Sequence, residues 1–212
     1  MSDASTAPHE GLGREALSRA LEAARPELDR YRGLLARGNA FFNLAGASAM
    51  DNFWSRHVLD CAQLTLLAPA ARTWADVGAG NGLPGIVLAI LLKDAPGARI
   101  HLIESVEKKC AFLRSVVCEL HLPALVEHAR AETLDLSVEV VTARACAPLS
   151  RLLPIVRPYL ARGARGLFLK GARAHEELRE AGRRWRFRSR AHQSLSDSRG
   201  VIIEIEGAPD AL

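Results

Sequence analysis

The sequence predicts an α/β fold with a mostly parallel, seven-stranded sheet, an antiparallel hairpin at one edge and a helical extension at the N-terminus. From Thr73 onward, apolar runs of strand length alternate with helical stretches, an order that produces a parallel sheet with helices on both faces. The last two runs are separated only by a Ser/Asp/Gly turn, Ser194 to Gly200, which favours an antiparallel pair. A chain of 212 residues, 49% of them hydrophobic, suffices for one compact domain.

The segment before Thr73 has the pattern of amphipathic helices. Between residues 12 and 38, Leu and Ala recur at spacings of three and four, with a break near Arg25-Pro26. A polar turn, Asn43 to Asp51, precedes a second helical stretch, Phe53 to Leu67. We therefore expect residues 1–70 to form a helical extension packed on a core of residues 71–212, which would be a single compact unit.

The rest of the chain is divided into strands and helices by its apolar runs. The predicted strands are Thr73–Val77, Ile100–Ile103, Leu125–Ala129, Val138–Thr142, Gly166–Leu169, Trp185–Arg190 and Val201–Ile205. A helix is predicted to begin at Pro84, because proline suits a first helical position. The other predicted helices are Lys108–Leu120, Leu149–Val156 and Ala174–Ala181.

Several classes of protein are disfavoured by the sequence. The longest apolar run, Leu83 to Leu92, is interrupted by Pro84 and Gly85 and is far shorter than the ~20 residues of a membrane span. The N-terminus lacks the pattern of a secretory signal, so we expect a cytoplasmic protein. The four cysteines include no C-x-x-C pair, so we expect reduced thiols and predict no metal site.

The basic charge is concentrated in one region. Residues 141–200 carry thirteen Arg and one Lys against three Glu and one Asp, a net charge of +10, whereas the other 152 residues sum to −6. Clustered arginines favour a polyanionic partner, nucleic acid first, because phosphates attract them and release counterions. Since 24 of the 28 basic residues are Arg, a general preference for arginine and a solvated surface explain the charge about equally well.

The most specific stretch is the glycine-rich loop after the first strand. Gly80, Gly82 and Gly85 match the G-x-G-x-x-G of dinucleotide-binding folds, in which a pyrophosphate lies at the helix N-terminus. Asp76 disfavours that ligand, because its carboxylate would repel the phosphates, whereas the zwitterionic methionyl end of S-adenosylmethionine tolerates it. The pattern D-x-G-x-G-x-G, which begins at Asp76, resembles the first motif of Rossmann-like class I methyltransferases.

An acidic residue at the end of the second strand supports a nucleotide site. Glu104 lies 22 residues after Gly82, where a carboxylate can bind ribose hydroxyls. Both a dinucleotide and S-adenosylmethionine carry such a ribose, so Glu104 does not choose between them.

The residues after the fourth strand bear on what a methyltransferase would modify. Enzymes that methylate an exocyclic amine commonly carry Asn/Asp-Pro-Pro-aromatic there, whereas this chain has Thr142-Ala-Arg-Ala-Cys146. Attack from pyrimidine C5 needs a nucleophilic cysteine, but Cys146 lacks a preceding proline and is interpreted as structural. Methylation of guanine N7 requires neither the amine-binding motif nor a nucleophilic cysteine, because the in-plane lone pair of N7 attacks the methyl group without loss of a proton. Catalysis then consists chiefly of aligning the two reactants.

An ordered set of motifs carries a family resemblance over residues 39–205. Besides the glycine loop, the motifs are Asn43-Leu44, Arg56-His57-Val58-Leu59-Asp60, Ser105–Lys109, Arg130-Ala131-Glu132, Arg144-Ala145 and Leu169-Lys170-Gly171. Together they resemble the bacterial small-subunit ribosomal RNA methyltransferase G family, also called glucose-inhibited division protein B. The resemblance implies methyl transfer from S-adenosylmethionine to guanine N7 in 16S rRNA, with naked RNA or the 30S particle as partner.

The resemblance and the motif chemistry together assign site residues. The predicted cofactor contacts are Asp76, Gly78, Gly80, Gly82, Leu83, Glu104, Ala131, Glu132 and Arg144. The predicted RNA contacts are Arg56, His57, Lys108, Lys109, Arg130 and Lys170. Arg144, at the end of the fourth strand, is also predicted to act at the chemical centre.

Three of these assignments rest on particular arguments. Lys108 and Lys109 open a helix, where cations oppose the helix dipole, so their presence suggests phosphate binding. His57 is assigned because of the family pattern R-H-x-x-D, in which Asp60 would fix the imidazole. We expect a monomer with no membrane association.

Two alternative functions remain open at this point. A nicotinamide-dependent oxidoreductase would use the same glycine pattern, but Asp76 disfavours it. A non-enzymatic ribosome-binding protein could retain the fold without the reaction. Measuring whether the protein binds S-adenosylmethionine or NAD tests the first alternative. Measuring N7-methylguanine in rRNA tests the second.

Overall fold

A computed structural model describes residues 9–42 and 52–212 of the chain. Its sheet has seven strands in the order β3-β2-β1-β4-β5-β7-β6, and the pairs among β1 to β5 are parallel, whereas β7 is antiparallel to both β5 and β6. The strands are β1 (Thr73–Val77), β2 (Arg99–Glu104), β3 (Ala124–His128), β4 (Val140–Arg144), β5 (Arg165–Lys170), β6 (Trp185–Gln193) and β7 (Val201–Ala211). The predicted α/β fold with an antiparallel edge hairpin is confirmed.

Helices cover both faces of this sheet. They are α1 (His9–Ala23), α2 (Arg25–Phe42), the π-helical α3 (Phe53–Val58), α4 (Leu59–Ala62), α5 (Leu64–Leu67), α6 (Gly85–Leu91), α7 (Glu107–Leu120), α8 (Leu149–Ala161) and α9 (Ala174–Gly182). None of the described helices is both long and apolar enough to cross a membrane. The predicted polar turn at 43–51 and the motif Asn43-Leu44 lie outside the described residues.

Some element boundaries differ from the predictions. The stretch from Phe53 is three short helical pieces instead of one helix. Strand β4 begins at Val140, two residues later than predicted, and α6 begins after Pro84. Helix α8 continues to Ala161 through two prolines, because its apolar side is fully buried against the sheet, and burial of a whole helix face outweighs an unfavourable residue.

Two hydrophobic layers hold the sheet between the helices. On one face, Trp74 packs with side chains of α2, α6 and α7. On the other, Val141 and Phe168 pack with side chains of α8 and α9. This arrangement leaves the carboxyl ends of the parallel strands as the edge at which loops meet, which is where ligands bind in such sheets.

Helix α2 is attached directly to the glycine loop. Tyr31 is fully buried, and its hydroxyl donates a hydrogen bond to the Asn81 carbonyl at 2.7 Å. The Tyr31 ring also lies 5.9 Å from the ring of Phe53 in α3. The N-terminal helices therefore support the loop that follows β1.

The hairpin is fastened to the sheet by a buried carboxylate. Glu204 in β7 is only 3% exposed and accepts hydrogen bonds from Arg165 Nε at 3.1 Å and His192 Nε2 at 2.6 Å. Burial alone would raise the pKa of Glu204, but the hydrogen bonds from Arg165 and His192 outweigh burial and lower it. Glu204 is therefore ionised and paired inside the protein.

This pairing predicts unequal effects for two glutamates of the same strand. Glu204→Ala should lower the free energy of unfolding by about 2 kcal/mol, since it removes hydrogen bonds between charged groups. Glu206→Ala, at an exposed position two residues on, is the control and should change it little. Urea denaturation measures both.

The cost of Glu204→Ala should also depend on pH. Because the folded-state pKa of Glu204 is lowered, its contribution is present above the unfolded pKa and is lost as the pH falls through the folded one. Equal stabilities of the two variants at neutral pH would contradict the assigned pairing.

Candidate active site

The loop after β1 packs against the end of β2. The amides of Gly78 and Ala79 donate hydrogen bonds to the Ile103 carbonyl at 2.9 and 3.0 Å. Gly78, Gly80 and Gly82 all have positive φ angles, of 71°, 57° and 97°. Such angles are strained for residues with a Cβ, which explains the glycine spacing of the motif.

Two of these glycines differ in the space around them. A Cβ on Gly78 would lie 2.7 Å from Cys146 Sγ, so packing against the β4–α8 loop excludes a side chain there. A Cβ on Gly80 would have no neighbour closer than the Gly78 carbonyl oxygen, at 3.6 Å. Gly80 is thus the position where another molecule can approach the backbone.

A carboxylate at the end of β2 holds the loop in place. Glu104 Oε2 accepts a hydrogen bond from the Gly80 amide at 3.0 Å, and Oε1 accepts from the amides of Ser105 and Val106 at 2.8 and 2.9 Å. Lys109 Nζ lies 3.9 Å from Oε2, whereas Lys108 is exposed. The two predicted phosphate-binding lysines therefore have different surroundings.

A cavity of about 80 Å³, which we name the loop cavity, lies beside Glu104. Of the predicted cofactor residues, Gly78, Glu104, Ala131 and Glu132 line it, together with Arg130. Ala131 is buried and its carbonyl accepts a hydrogen bond from the Tyr159 hydroxyl at 2.7 Å. Residues predicted from three separate stretches of the sequence are therefore brought to one site.

The other predicted cofactor residues do not line this cavity: Asp76, Gly80, Gly82, Leu83 and Arg144. Of these, Asp76 and Leu83 are buried beside the loop. Asp76 Oδ2 accepts a hydrogen bond from the Gly85 amide at 2.8 Å, whereas Oδ1 has no partner among the described residues. Burial raises the pKa of Asp76 to about 7, against the opposing effects of the Gly85 hydrogen bond and the Arg144 charge. Leu83 belongs to the hydrophobic core.

Arg144 ends β4 and connects it to α3 and α4. Its guanidinium contacts His57 Nδ1 and Cys61 Sγ, the latter at 3.6 Å, and its Nε lies 3.9 Å from Asp60 Oδ2. Burial and the charges of Arg144 and Arg56 lower the pKa of His57 to about 4. His57 is therefore neutral at pH 7, with Nδ1 as an acceptor.

The expectation that Asp60 fixes the His57 imidazole is wrong. Asp60 Oδ1 instead accepts hydrogen bonds from Gln63 Nε2 at 2.9 Å and from the hydroxyls of Ser194 and Ser196, both at 3.0 Å. The carboxylate thus joins α4 to the loop between β6 and β7. The sequence analysis interpreted this loop as a simple turn. Its contact with α4 depends on Asp60, which is distant in the sequence, so no local pattern could have indicated it.

A second cavity of about 290 Å³, the β4–β5 cavity, lies on the other side of the residues after β4. Ala145 and Ala147 line this cavity, whereas Cys146 between them lines the loop cavity. One short segment therefore forms a wall of both. The side chains around the β4–β5 cavity that carry charge are Arg56, Asp60, Arg144, Lys170, Glu177 and Asp197.

Two of the predicted RNA contacts in this cavity already have partners. Lys170 Nζ donates to the Ala147 carbonyl at 2.6 Å and lies 2.8 Å from Glu177 Oε2, and its side chain is only 8% exposed. Arg56 is more than half exposed, and its Nη2 lies 3.7 Å from Asp197 Oδ2. Lys170 therefore stabilises the β5–α9 corner, whereas Arg56 remains open to solvent.

The thiols near Arg144 are held in their protonated form. Burial raises the pKa of Cys61 to about 12, and burial followed by the Asp76 charge raises the pKa of Cys146. A nucleophilic cysteine must be a thiolate, so neither side chain is activated for covalent catalysis.

A larger cavity of about 660 Å³ lies elsewhere, between α1, α5 and the hairpin. Both apolar side chains, such as Leu66 and Ile202, and polar ones, such as Gln63 and His192, line it, and none of the predicted site residues does. The loop cavity and the β4–β5 cavity therefore form the candidate site.

The glycine loop after β1, the fixed carboxylate after β2 and the order of the seven strands define a class I S-adenosylmethionine-dependent methyltransferase. Solved structures of this fold agree. Magnesium protoporphyrin IX methyltransferase (ChlM) from Synechocystis PCC 6803 with bound SAM has a TM-score of 0.53 at 14% identity, over 77% of this chain and 86% of that one. A mutant of MtNAS in complex with S-adenosylmethionine has a TM-score of 0.56 at 15% identity, over 97% and 80%.

Sequence comparison then gives the family. The model of GidB, rRNA small subunit methyltransferase G, matches residues 24–203. Ribosomal RNA small subunit methyltransferase G of Caulobacter vibrioides (strain NA1000 / CB15N) is 50% identical over 197 residues, which are 93% of this chain and 91% of the relative. That of Caulobacter sp. (strain K31) is 52% identical over 200 residues, 94% and 90%. The chain belongs to the rRNA small subunit methyltransferase G family. This membership favours a methyltransferase over both alternatives, the oxidoreductase and the non-enzymatic ribosome-binding protein.

The open space at Gly80 predicts a specific loss of cofactor binding. Gly80→Val should abolish binding of S-adenosylmethionine while the protein stays folded, because the branched side chain enters the space that the ligand needs. Gly97→Val is the matched control: Gly97 also has a positive φ, of 77°, but nothing lies within 4 Å of its Cβ position. Calorimetric titration measures both, and unchanged affinity in folded Gly80→Val would contradict the assignment.

Proposed function

We propose that this chain transfers the methyl group of S-adenosylmethionine to N7 of a guanine in 16S rRNA. The observation that carries the proposal is the shared wall of residues 144–147, with the loop cavity on one side and the β4–β5 cavity on the other. A cofactor in one cavity and an acceptor base in the other would meet beside this segment, which direct transfer of a methyl group requires. Arg144 lies at its start.

The residues in and beside the loop cavity suit the cofactor. Gly80 leaves room for a ligand beside the backbone, and Glu104 is already oriented by three amides, with lone pairs left to accept hydrogen bonds from ribose hydroxyls. Ala131 and Glu132 also line the cavity. S-adenosylmethionine supplies an electrophilic methyl group on a cationic sulfonium.

Asp76 contributes a charge beneath the loop. Its raised pKa means that the carboxylate is only partly ionised near neutral pH, and its Oδ1 has no hydrogen-bond partner among the described residues. A cation bound nearby would favour the ionised form. We therefore retain Asp76 as a residue that stabilises the cofactor electrostatically.

The chemistry around Arg144 suits N7 as the acceptor. N7 has no proton to lose, so its methylation requires no general base, and His57 is neutral and already bonded to Arg144. The protonated thiols of Cys61 and Cys146 argue against the covalent route of pyrimidine C5 enzymes. What this site offers is alignment of two bound molecules.

Arg144 has the most restricted role among the basic residues. An arginine that donated to guanine N7 would occupy the lone pair that must react, so Arg144 can serve only O6 or a phosphate on the RNA side. Its contacts with His57, Cys61 and Asp60 hold the guanidinium in one orientation. That fixed position favours a catalytic role over a surface charge.

The exposed basic residues are the better RNA contacts. Lys108, Arg56 and Arg130 are exposed at the same edge of the sheet, whereas Lys109 lies close to Glu104 and Lys170 is paired with Glu177. We retain the first three as phosphate contacts and assign Lys109 to the cofactor side.

The proposed substrate is 16S rRNA, naked or in the 30S particle. We propose that the protein acts as a monomer in the cytoplasm, with residues 1–70 as a helical extension of the 71–212 core.

The decisive experiment is restoration of the modified base. In a bacterium that lacks its own member of the family, this protein should restore N7-methylguanine to 16S rRNA, measured by mass spectrometry of nucleosides. Cys146→Ser should restore it as well, because no covalent intermediate forms, whereas Gly80→Val should not. Restoration that depends on Cys146, or the appearance of a C5-methylated pyrimidine instead, would contradict transfer to N7.

The RNA contact of Lys108 can be measured separately. Lys108→Ala should reduce the slope of log affinity against log salt by about 0.7 to 0.9, the value expected for one lost phosphate contact. Lys93→Ala is the control, since Lys93 follows α6 at the opposite end of the sheet and lies 3.7 Å from Glu27. Filter binding to 16S rRNA over a salt series measures both, and identical slopes would remove Lys108 from the interface.

A further inference from the structure

We propose that the β4–β5 cavity receives the guanine base itself and that Asp197 accepts hydrogen bonds from its N1–H and 2-amino groups. The inference rests on the proposed function, because it assigns the base to the second of two cavities that share a wall. Nucleic-acid enzymes that modify a base commonly bind it extruded from the stack in such a pocket. A volume of about 290 Å³ suits a small planar ligand.

The orientation of the base follows from the chemistry. N7 must face the methyl group of the cofactor, where the two cavities meet beside residues 144–147. The N1–H and 2-amino donors are on the opposite side of a purine from N7, so they point away from the cofactor. A cavity that selects guanine therefore needs an acceptor on its far side, and a carboxylate can receive both donors.

Three carboxylates line the cavity, and two of them are already used. Glu177 Oε2 accepts from the Leu149 amide at 2.8 Å and lies 2.8 Å from Lys170 Nζ. Asp60 Oδ1 accepts the three hydrogen bonds described above. Among the described residues, Asp197 has one donor atom within hydrogen-bond distance, fewer than either of the other two carboxylates.

The contacts of Asp197 leave it ionised and accessible. Its Oδ1 accepts one hydrogen bond, from the Arg199 amide at 2.9 Å, and lies 3.8 Å from Arg199 Nε, and its Oδ2 lies 3.7 Å from Arg56 Nη2. The hydrogen bond from Arg199 lowers the pKa of Asp197, so the side chain is a carboxylate at neutral pH. About a quarter of the side chain is exposed.

The loop that carries Asp197 is held in position by its neighbours. Ser194 and Ser196 bond to Asp60, the Gly200 amide donates to the Asp197 carbonyl at 2.9 Å, and the Ser194 amide donates to the Gly200 carbonyl at 3.0 Å. A binding group must be held this firmly to select between similar bases. The role of Asp60 is thus to position the loop.

The sign of the charge is a further reason to assign Asp197 to the base. Asp197 is the single aspartate in the sequence between residues 141 and 200, a region of net charge +10. A carboxylate beside an RNA site repels phosphates, so it weakens binding unless it contacts a donor. The donors of guanine are the part of the RNA that favours a carboxylate.

The variant Asp197→Asn separates this role from a structural one. Asn keeps an oxygen for the Arg199 amide but replaces the other carboxylate oxygen with an NH2 group, which cannot accept from guanine. We expect kcat/KM for 16S rRNA to fall about 10- to 100-fold, the range of one lost bidentate contact, while affinity for S-adenosylmethionine is unchanged. Asp210→Asn, which removes an exposed aspartate near the far end of β7, is the matched control and should leave kcat/KM unchanged or slightly higher.

A base analogue supplies the readout that a structural role would not change. In 16S transcripts with a small fraction of inosine, naked or assembled into 30S particles, the wild-type protein should methylate guanosine in preference to inosine, which lacks the 2-amino group. Mass spectrometry gives the ratio of the two 7-methylated nucleosides. Asp197→Asn should bring this ratio close to the ratio of incorporation.

The possible results of the inosine experiment test the role of Asp197 and the proposed function separately. A wild-type preference that persists in Asp197→Asn, or a wild type with no preference, overturns the assignment of Asp197. A wild type that forms no N7-methylguanine on either substrate overturns the proposed function instead.

Discussion

The position of the Arg144 guanidinium is the constraint on which the rest of the site depends. It lies at the carboxyl end of β4 and contacts His57 of α3 and Cys61 of α4, so it joins the sheet to the helices that precede it. Burial, together with the charges of Arg144 and Arg56, lowers the pKa of His57, and the Arg144 charge opposes the larger effect of burial on the pKa of Asp76 and of Cys61. The Arg144 charge therefore acts on the titratable groups around both cavities, in addition to burial.

The helix start after the glycine loop and the Arg144 cation both act on the buried carboxylate of Asp76. A fully buried carboxylate is costly unless hydrogen bonds and nearby cations compensate, and here the Gly85 amide and Arg144 compensate only in part. The remaining imbalance appears as a raised pKa of Asp76. In class I methyltransferases the cofactor brings a cationic sulfonium, so the site is electrostatically incomplete in a way that favours such a ligand.

Sequence patterns predicted those parts of the molecule that depend on local order. The seven strands follow from apolar runs, and the loop cavity follows from Gly78, Glu104 and Ala131, each of which ends or follows a strand of the parallel sheet. The carboxyl ends of neighbouring parallel strands must meet, so their positions in the sequence suffice. The continuation of α8 through Pro154 could not be predicted in this way, because it depends on burial against distant residues.

Side-chain partners were the part that sequence order did not determine. Asp60 lies three residues from His57, yet it bonds to Ser194 and Ser196, more than 130 residues away, because the hairpin returns to α4 in the fold. Lys170 has the position of an exposed strand-end cation but is paired with Glu177 of the next helix. Pairing of this kind depends on tertiary contacts, which no local pattern specifies.

The same reasoning changes the meaning of the regional charge. Part of the +10 over residues 141–200 is paired with acids outside that region: Arg165 pairs with Glu204 and Arg162 with Asp135, whereas Arg173 pairs with Glu176, which the sum already includes. In the hairpin, Arg186, Arg188 and Arg190 stand opposite Asp210, Glu206 and Glu204 of β7. These acids belong partly to segments outside the counted region, so the excess is smaller in space than along the chain. A basic segment therefore indicates nucleic-acid binding only after its internal partners are subtracted, and for this chain the exposed cations at the carboxyl edge of the sheet are a better basis for proposing RNA contacts than the regional charge.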